Sequence, residues 1–148
     1  MIHPDDTLAA PAAALATELA TLIGKLKRRL REKANAGDFT LSQLSVLGRL
    51  DRQGPATVTA LARGEGMRPQ SMGATVAVLE AAGLVSGAPD PADGRQTILS
   101  LTPACQEMIR AGRAARHDWL SQAIQARLSA SEQAQLAAGL ELLKRLAD

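Results

Sequence analysis

The residues best suited to recognition chemistry lie together at the start of one short helical segment. Arg68, Gln70 and Ser71 carry side-chain hydrogen-bond donors. Arginine can donate to guanine or a phosphate, glutamine can pair with adenine, and serine can reach a phosphate or a base edge. Gly73 and Ala74 are small, so this helix could lie deep in a major groove with Ala74 near a thymine methyl group. The pattern favours contact with duplex DNA, although an ordinary solvated helix face carries similar residues.

Two short helices joined by a glycine-containing turn would position these donors. Gly64 and Gly66 suit the turn, because glycine tolerates the left-handed backbone at a helix C-terminus. Pro69 suits the first position of the second helix, and Gly83 ends that helix. The spacing therefore predicts a helix-turn-helix. Its predicted buried positions are Val58, Leu61 and Ala62, followed by Met72, Val76 and Leu79.

A β-hairpin is predicted directly after the second helix. Leu84 and Val85 begin one strand, and Thr97–Leu101 forms the other. The residues between them, Pro89–Gly94 in particular, are rich in turn formers. A hairpin in this place is a wing, so the predicted fold class is mostly α: an α+β winged helix-turn-helix flanked by long N- and C-terminal dimerisation helices.

The order of these segments resembles the MarR family of bacterial transcriptional regulators over roughly residues 40–110. The resemblance implies that Arg95 enters the minor groove, held by the wing aspartate Asp93, where narrow grooves attract arginine. The alternative is a wing-tip ion pair that only orders the turn. The most specific motifs are Leu79-Glu80 with Gly83-Leu84-Val85, then Asp93-Gly94-Arg95, then Leu101-Thr102-Pro103.

The sequence departs from the pattern of the resembling family at three places. Basic residues usually follow the first wing strand, where this chain has Ser86, Gly87 and Ala88. The outward face of the recognition helix often carries a basic residue, where this chain has Ala74. These two departures weaken phosphate contacts. The third is Cys105, where the family commonly has glycine.

Apolar stripes on helices at both ends of the chain indicate a symmetric homodimer. Pro11 is expected to open the first helix and Gly37 to end it. The basic face of that helix, Lys25 to Lys33, is more readily interpreted as solvated than as a DNA contact. A monomeric bundle is the alternative. The stripes comprise Leu15, Leu19, Leu22, Leu26 and Leu30 in the first helix and Leu136, Leu140, Leu143 and Leu146 in the last.

These patterns divide the chain into three parts. Residues 1–37 form an N-terminal arm and dimerisation helix, residues 38–102 the winged helix-turn-helix DNA-binding domain, and residues 103–148 the C-terminal dimerisation helices. Helix starts are predicted from capping residues. The capping residues are Thr40 with Gln43, Thr57, Thr102 before Pro103, and Ser129 with Glu132.

Composition excludes several other classes of protein. The net charge of +2 permits nucleic-acid binding, and the 1% aromatic content leaves little surface for stacking single-stranded bases. One cysteine excludes internal disulfides and thiolate zinc sites, and a cytoplasmic location is expected. No enzyme motif is evident, and neither a cofactor nor a metal is expected. His3 with Asp5 and Asp6 could bind a metal but is more simply a solvated terminus.

Cys105 would be the third residue of its helix, where the helix dipole lowers the pKa of a thiol. A redox sensor is therefore one hypothesis, and a small buried apolar residue is the simpler one. The expected function is a homodimeric regulator, a repressor, that binds a pseudo-palindromic DNA duplex. The resemblance also implies release by a small-molecule effector of unidentified chemistry. The alternative is a winged-helix dimer that serves as a protein-interaction module.

Overall fold

Six helices and three short strands make up the residues that the structure describes, 4–34 and 39–148. It is a computed structural model, and side chains are described for residues 11–34 and 39–148. The helices are α1 (Pro4–Lys33), α2 (Leu41–Gln53), α3 (Val58–Glu65), α4 (Pro69–Ala81), α5 (Pro103–Arg127) and α6 (Ala130–Ala147). The strands are β1 (Ala56–Thr57), β2 (Val85–Pro89) and β3 (Thr97–Leu101).

The predicted helix caps are confirmed. The Thr40 Oγ1 accepts from the Gln43 N–H at 3.2 Å, and the Gln43 side chain accepts from the Thr40 N–H at 2.9 Å, which is a complete capping box. Ser129 and Glu132 form the same box before α6. Thr57 caps α3 by accepting from the Ala60 N–H at 3.1 Å.

The start of the first helix was predicted wrongly. α1 begins at Pro4 and runs through Pro11, which was expected to open the helix. Proline inside a helix removes one hydrogen bond, but alanine is the strongest helix former, and the segment Leu8–Ala14 is mostly alanine. The predicted stop at Asn35 and Gly37 and the His3 cluster lie outside the described residues or side chains.

The sheet joins the wing to the residues before α3. β3 lies in the middle, antiparallel to β1 on one side and to β2 on the other. The wing register pairs Val85 with Leu101 and Pro89 with Thr97, while Ala56 pairs with Leu99. The short β1 therefore ties the wing to the start of the helix-turn-helix.

The chain divides into two compact units, one of residues Ala36–Gly112 and one of Met1–Asn35 with Arg113–Asp148. All the buried hydrophobic side chains among the described residues lie between Val46 and Cys105, in the first unit. Met72, Val76 and Leu79 are among them, as α4 was predicted to bury them. In the second unit, large hydrophobic side chains of α1 and α6 remain exposed.

Candidate nucleic-acid interface

The outward face of α4 carries the predicted recognition residues. Gln70, Ser71, Ala74 and Ala77 are exposed, and Gly73 is half-buried. The opposite face is anchored in the core through Met72 and its helical neighbours. This division follows from the helical period, so the face opposite the core stays free for a partner.

The N-terminus of α4 is open. Arg68 is the N-cap residue, is exposed, and makes no side-chain cap. Pro69 has no N–H, and the N–H groups of Gln70 and Ser71 have no partner within the helix. The first turn carries no acidic residue. Donors and a positive helix end therefore coincide with the predicted recognition residues, an arrangement suited to an anion.

Gly73 leaves open space on the outward face of α4. A Cβ atom added there would meet no heavy atom within 4 Å. Folding therefore gives no reason for glycine at this position, since alanine stabilises a helix more. A surface that must approach closely gives one, because a missing side chain lets the backbone come nearer to its partner.

A polar cluster of Ser45, Arg49, Glu65 and the Gly64 carbonyl fixes the turn before α4. The Glu65 carboxylate accepts from the Arg49 Nε at 2.9 Å and from the Ser45 hydroxyl at 2.9 and 3.0 Å. The Arg49 Nη2 donates to the Gly64 carbonyl at 2.8 Å. A Cβ atom at Gly64 would lie 2.7 Å from the Arg49 guanidinium, so that close approach requires glycine.

The Arg49 hydrogen bond is the main cause that lowers the pKa of Glu65, so this carboxylate stays charged. The cluster joins α2 to the end of α3, and Gly66 follows with a left-handed backbone, φ +65°. Sequence reasoning missed the cluster, because Arg49 and Glu65 lie on different helices and only the fold brings them together.

The wing turn is ordered by Asp90 and Asp93. The Asp93 Oδ1 accepts from the backbone N–H of Arg95 at 3.1 Å, and the Asp90 Oδ1 accepts from that of Ala92 at 2.9 Å. Within the described residues, no ion pair joins Asp93 to the Arg95 guanidinium. The implied support of the Arg95 side chain by Asp93 is thus replaced by support of its backbone. The Arg95 side chain is exposed.

Packing explains one departure from the family pattern. A Cβ atom at Gly87 would lie 2.7 Å from the Thr97 methyl group on the paired strand and 3.5 Å from the Leu99 side chain. A basic side chain at position 87 would therefore displace Thr97. Ser86 and Ala88 are exposed and have no such constraint.

Cys105 lies in the core rather than at a reactive surface. The Thr102 Oγ1 accepts from the Cys105 N–H at 3.1 Å, so Thr102 caps α5 as predicted, and it donates to the Gly83 carbonyl at 2.7 Å. The expectation of a lowered thiol pKa is wrong: burial raises the pKa of Cys105, and the charge of Asp51 raises it further. The side chain is 0% exposed, which favours the packing role.

Formal charge is unevenly distributed along the chain. Residues 36–112 contain six basic and seven acidic residues, a net charge of −1. Two of the six arginines already make ion pairs, Arg49 with Glu65 and Arg110 with Glu107. Duplex DNA is strongly negative. The predicted reading surface therefore has donors but little net positive charge.

Neither a metal site nor a membrane span is evident in the part of the chain that the structure describes. No three histidine, cysteine or acidic side chains there are grouped to hold a metal ion. None of the described helices is both long and apolar enough to cross a membrane.

Comparison with known proteins decides the family. A family model described as MarR family matches residues 38–96. An HTH-type transcriptional regulator from Mycobacterium bovis is 38% identical over 136 residues, which cover 92% of this chain and 94% of that protein. The chain belongs to the MarR family. This MarR-family chain is therefore a transcriptional regulator and not an enzyme.

Solved structures agree with the MarR fold. A transcriptional regulator protein from Pseudomonas aeruginosa is 39% identical, with a TM-score of 0.79 over 92% of this chain and 96% of that one. MepR from S. aureus, bound to an oligodeoxyribonucleotide, has a TM-score of 0.71 over 90% of this chain and 98% of that one. At 20% identity, MepR supports the fold alone.

Proposed function

We propose that this chain is a homodimeric repressor that reads a pseudo-palindromic DNA duplex through α4. One observation carries the proposal: exposed donors at the open N-terminus of α4 lie beside a glycine with free space around its Cα. A recognition helix contacts base edges with its N-terminal residues. MepR, a structural neighbour, binds an oligodeoxyribonucleotide, which is consistent with DNA as the partner.

Each donor has a role in the proposed complex. Gln70 pairs with adenine, and Arg68 reaches guanine or a phosphate. Ser71 contacts a phosphate or a base edge, and Arg95 enters the minor groove from the wing tip. The absence of a side chain at Gly73 lets α4 lie close to the bases, with Ala74 against a thymine methyl group.

The homodimer is supported by apolar side chains that the single chain leaves in water. Leu15 is 66% exposed on α1 and Leu146 is 74% exposed on α6. Contiguous apolar surface of this kind marks an interaction site. A second copy that covers both helices makes a two-fold assembly with two copies of α4. Half-sites then lie about 10 bp apart.

Repression follows if the bound dimer occupies a promoter and excludes the transcription machinery. Release by a small-molecule effector is part of the proposal through family membership alone. The three parts of the chain then have separate roles, with residues 38–102 binding DNA and residues 1–37 and 103–148 forming the dimer.

Selection from a pool of random duplexes tests the proposal. Purified protein retains duplexes at near-physiological salt, and the retained pool is sequenced. An inverted repeat is expected from the wild type, and Arg68→Ala with Gln70→Ala should abolish its enrichment, because the base-reading donors are removed. Arg127→Ala, an exposed arginine at the end of α5, is the control and should enrich the same repeat.

A protein-interaction module is the second candidate function, and the net charge of −1 on residues 36–112 favours it. In that case no duplex is enriched by the wild type. Enrichment of a repeat that does not change in the Arg68 and Gln70 variant would contradict the assigned reading surface while leaving DNA binding intact.

A further inference from the structure

The positive charge of the chain is concentrated in the C-terminal part of α1. Residues 25–33 contain six basic residues and one acidic residue, a net charge of +5. The whole chain has a net charge of +2, so all the other residues together carry −3. The six side chains are called the basic sleeve below: Lys25, Lys27, Arg28, Arg29, Arg31 and Lys33.

The basic sleeve is exposed and has no counter-charge bound to it. All six side chains are exposed, and none makes an ion pair with any residue in the described ranges 11–34 and 39–148. The helix dipole accounts for basic residues in the last turn, which holds only Arg31 and Lys33. Six like charges within three turns repel one another, so the sleeve costs stability unless a partner neutralises it.

The sleeve is separate from the apolar stripe of α1. At about 100° per residue, Leu22, Leu26 and Leu30 share one face, and Arg28 points roughly opposite to Leu26. Lys27 and Arg31 lie on the same side as Arg28. A protein that covers the apolar stripe therefore leaves these three basic side chains in water, where they can meet a second partner.

We infer that the basic sleeve binds the phosphate backbone of duplex DNA outside the bases read by α4. The inference rests on the proposed function. Its argument is charge complementarity: residues 36–112 carry −1, the wing lacks basic residues at positions 86–88, and the missing cations are on α1. Only residues 34–40 separate the sleeve from α2 in sequence, so a chain bound through α4 carries the sleeve to the duplex at high local concentration.

The test compares two variants with the same change in charge. The sleeve variant is Lys27→Gln, Arg28→Gln, Arg31→Gln. The control variant is Arg127→Gln, Lys144→Gln, Arg145→Gln, at exposed positions of α5 and α6. Glutamine is a good helix former, so both variants should fold, which circular dichroism and sedimentation check.

The probe is a labelled random-sequence duplex of about 40 bp, longer than two half-sites about 10 bp apart. Affinity is measured between about 50 and 200 mM salt, where the slope of log K against log salt decreases in magnitude by about 0.9 for each phosphate that the protein no longer neutralises. The sleeve variant is expected to reduce the slope by about 2 or more, and the control variant by much less than 1.

Equal slopes for the wild type and the sleeve variant overturn the inference and leave DNA reading by α4 intact. Equal reductions in both variants also overturn it, because net charge then explains the effect. A wild type that binds no duplex even at the lowest salt overturns the proposed function and the inference together.

Discussion

Gly73→Ala separates the requirements of folding from those of DNA reading. The substitution adds one methyl group to the outward face of α4, where an added Cβ atom meets nothing within 4 Å. Alanine is favoured over glycine inside a helix by about 1 kcal/mol. We therefore expect a free energy of unfolding higher by about 0.5–1 kcal/mol and a melting temperature higher by about 2–4 °C.

The same methyl group should weaken DNA binding. In the proposed complex α4 lies against base edges, so the methyl group forces the helix outward and lengthens the hydrogen bonds of Gln70 and Arg68. One good bidentate base contact contributes about 1–3 kcal/mol. The expected reduction in affinity for the enriched inverted repeat is therefore about 5- to 150-fold.

Thermal denaturation and fluorescence anisotropy measure the two effects on the same preparation. Gly48→Ala is the matched control, because Gly48 lies inside α2 and an added Cβ would meet only the mobile end of the Arg52 side chain, at 2.9 Å. The control should not weaken DNA binding. A stabilised Gly73→Ala variant that binds the repeat like the wild type would refute the close approach of α4.

Three further predictions concern the residues that position α4 and the wing. Glu65→Gln should lower the free energy of unfolding at pH 7 by about 1.5–3 kcal/mol, since the substitution removes charge-assisted hydrogen bonds. Because the fold lowers the pKa of Glu65, this stabilisation is complete above the ordinary carboxyl pKa of 4.5 and disappears as the pH falls through the folded-state pKa, so denaturant titrations of the two proteins should converge in acid. Thr102→Val should lower the free energy of unfolding by about 1–2 kcal/mol, because it removes the α5 cap and the bond to Gly83, whereas Thr59→Val on exposed α3 surface should change it little. The Cys105 thiol should react with a thiol reagent at least about 100-fold more slowly in the folded chain than in denaturant, and mass spectrometry after peroxide should find it unmodified; rapid reaction or oxidation in the folded chain would restore the redox hypothesis.

Much of the fold was predictable because its signals are local. Thr40, Thr57 and Ser129 specify helix starts through hydrogen bonds that span three residues, and the helical period of Met72, Val76 and Leu79 specifies the buried face of α4. Such interactions depend on sequence spacing alone, so the sequence suffices to predict them.

The remaining features depend on contacts between distant residues. The bonds from Arg49 and Ser45 to Glu65 span sixteen and twenty residues, and no local pattern marks them. The packing of Gly87 against Thr97 requires the wing register. Cys105 was assigned a lowered pKa from its place at a helix start, but the core that surrounds it raises the pKa instead. The start of α1 was mispredicted because a strong helix former on both sides outweighs one proline.

The central claim is that α4 reads a specific duplex. The most direct measurement is the affinity of the full chain for the enriched inverted repeat and for a scrambled duplex of the same length and composition, at about 0.15 M salt. Specific regulators prefer their site by about 10³-fold or more. We predict a ratio of this size, which falls towards one in the variant Arg68→Ala with Gln70→Ala. Equal affinity of the wild type for both duplexes would contradict the account.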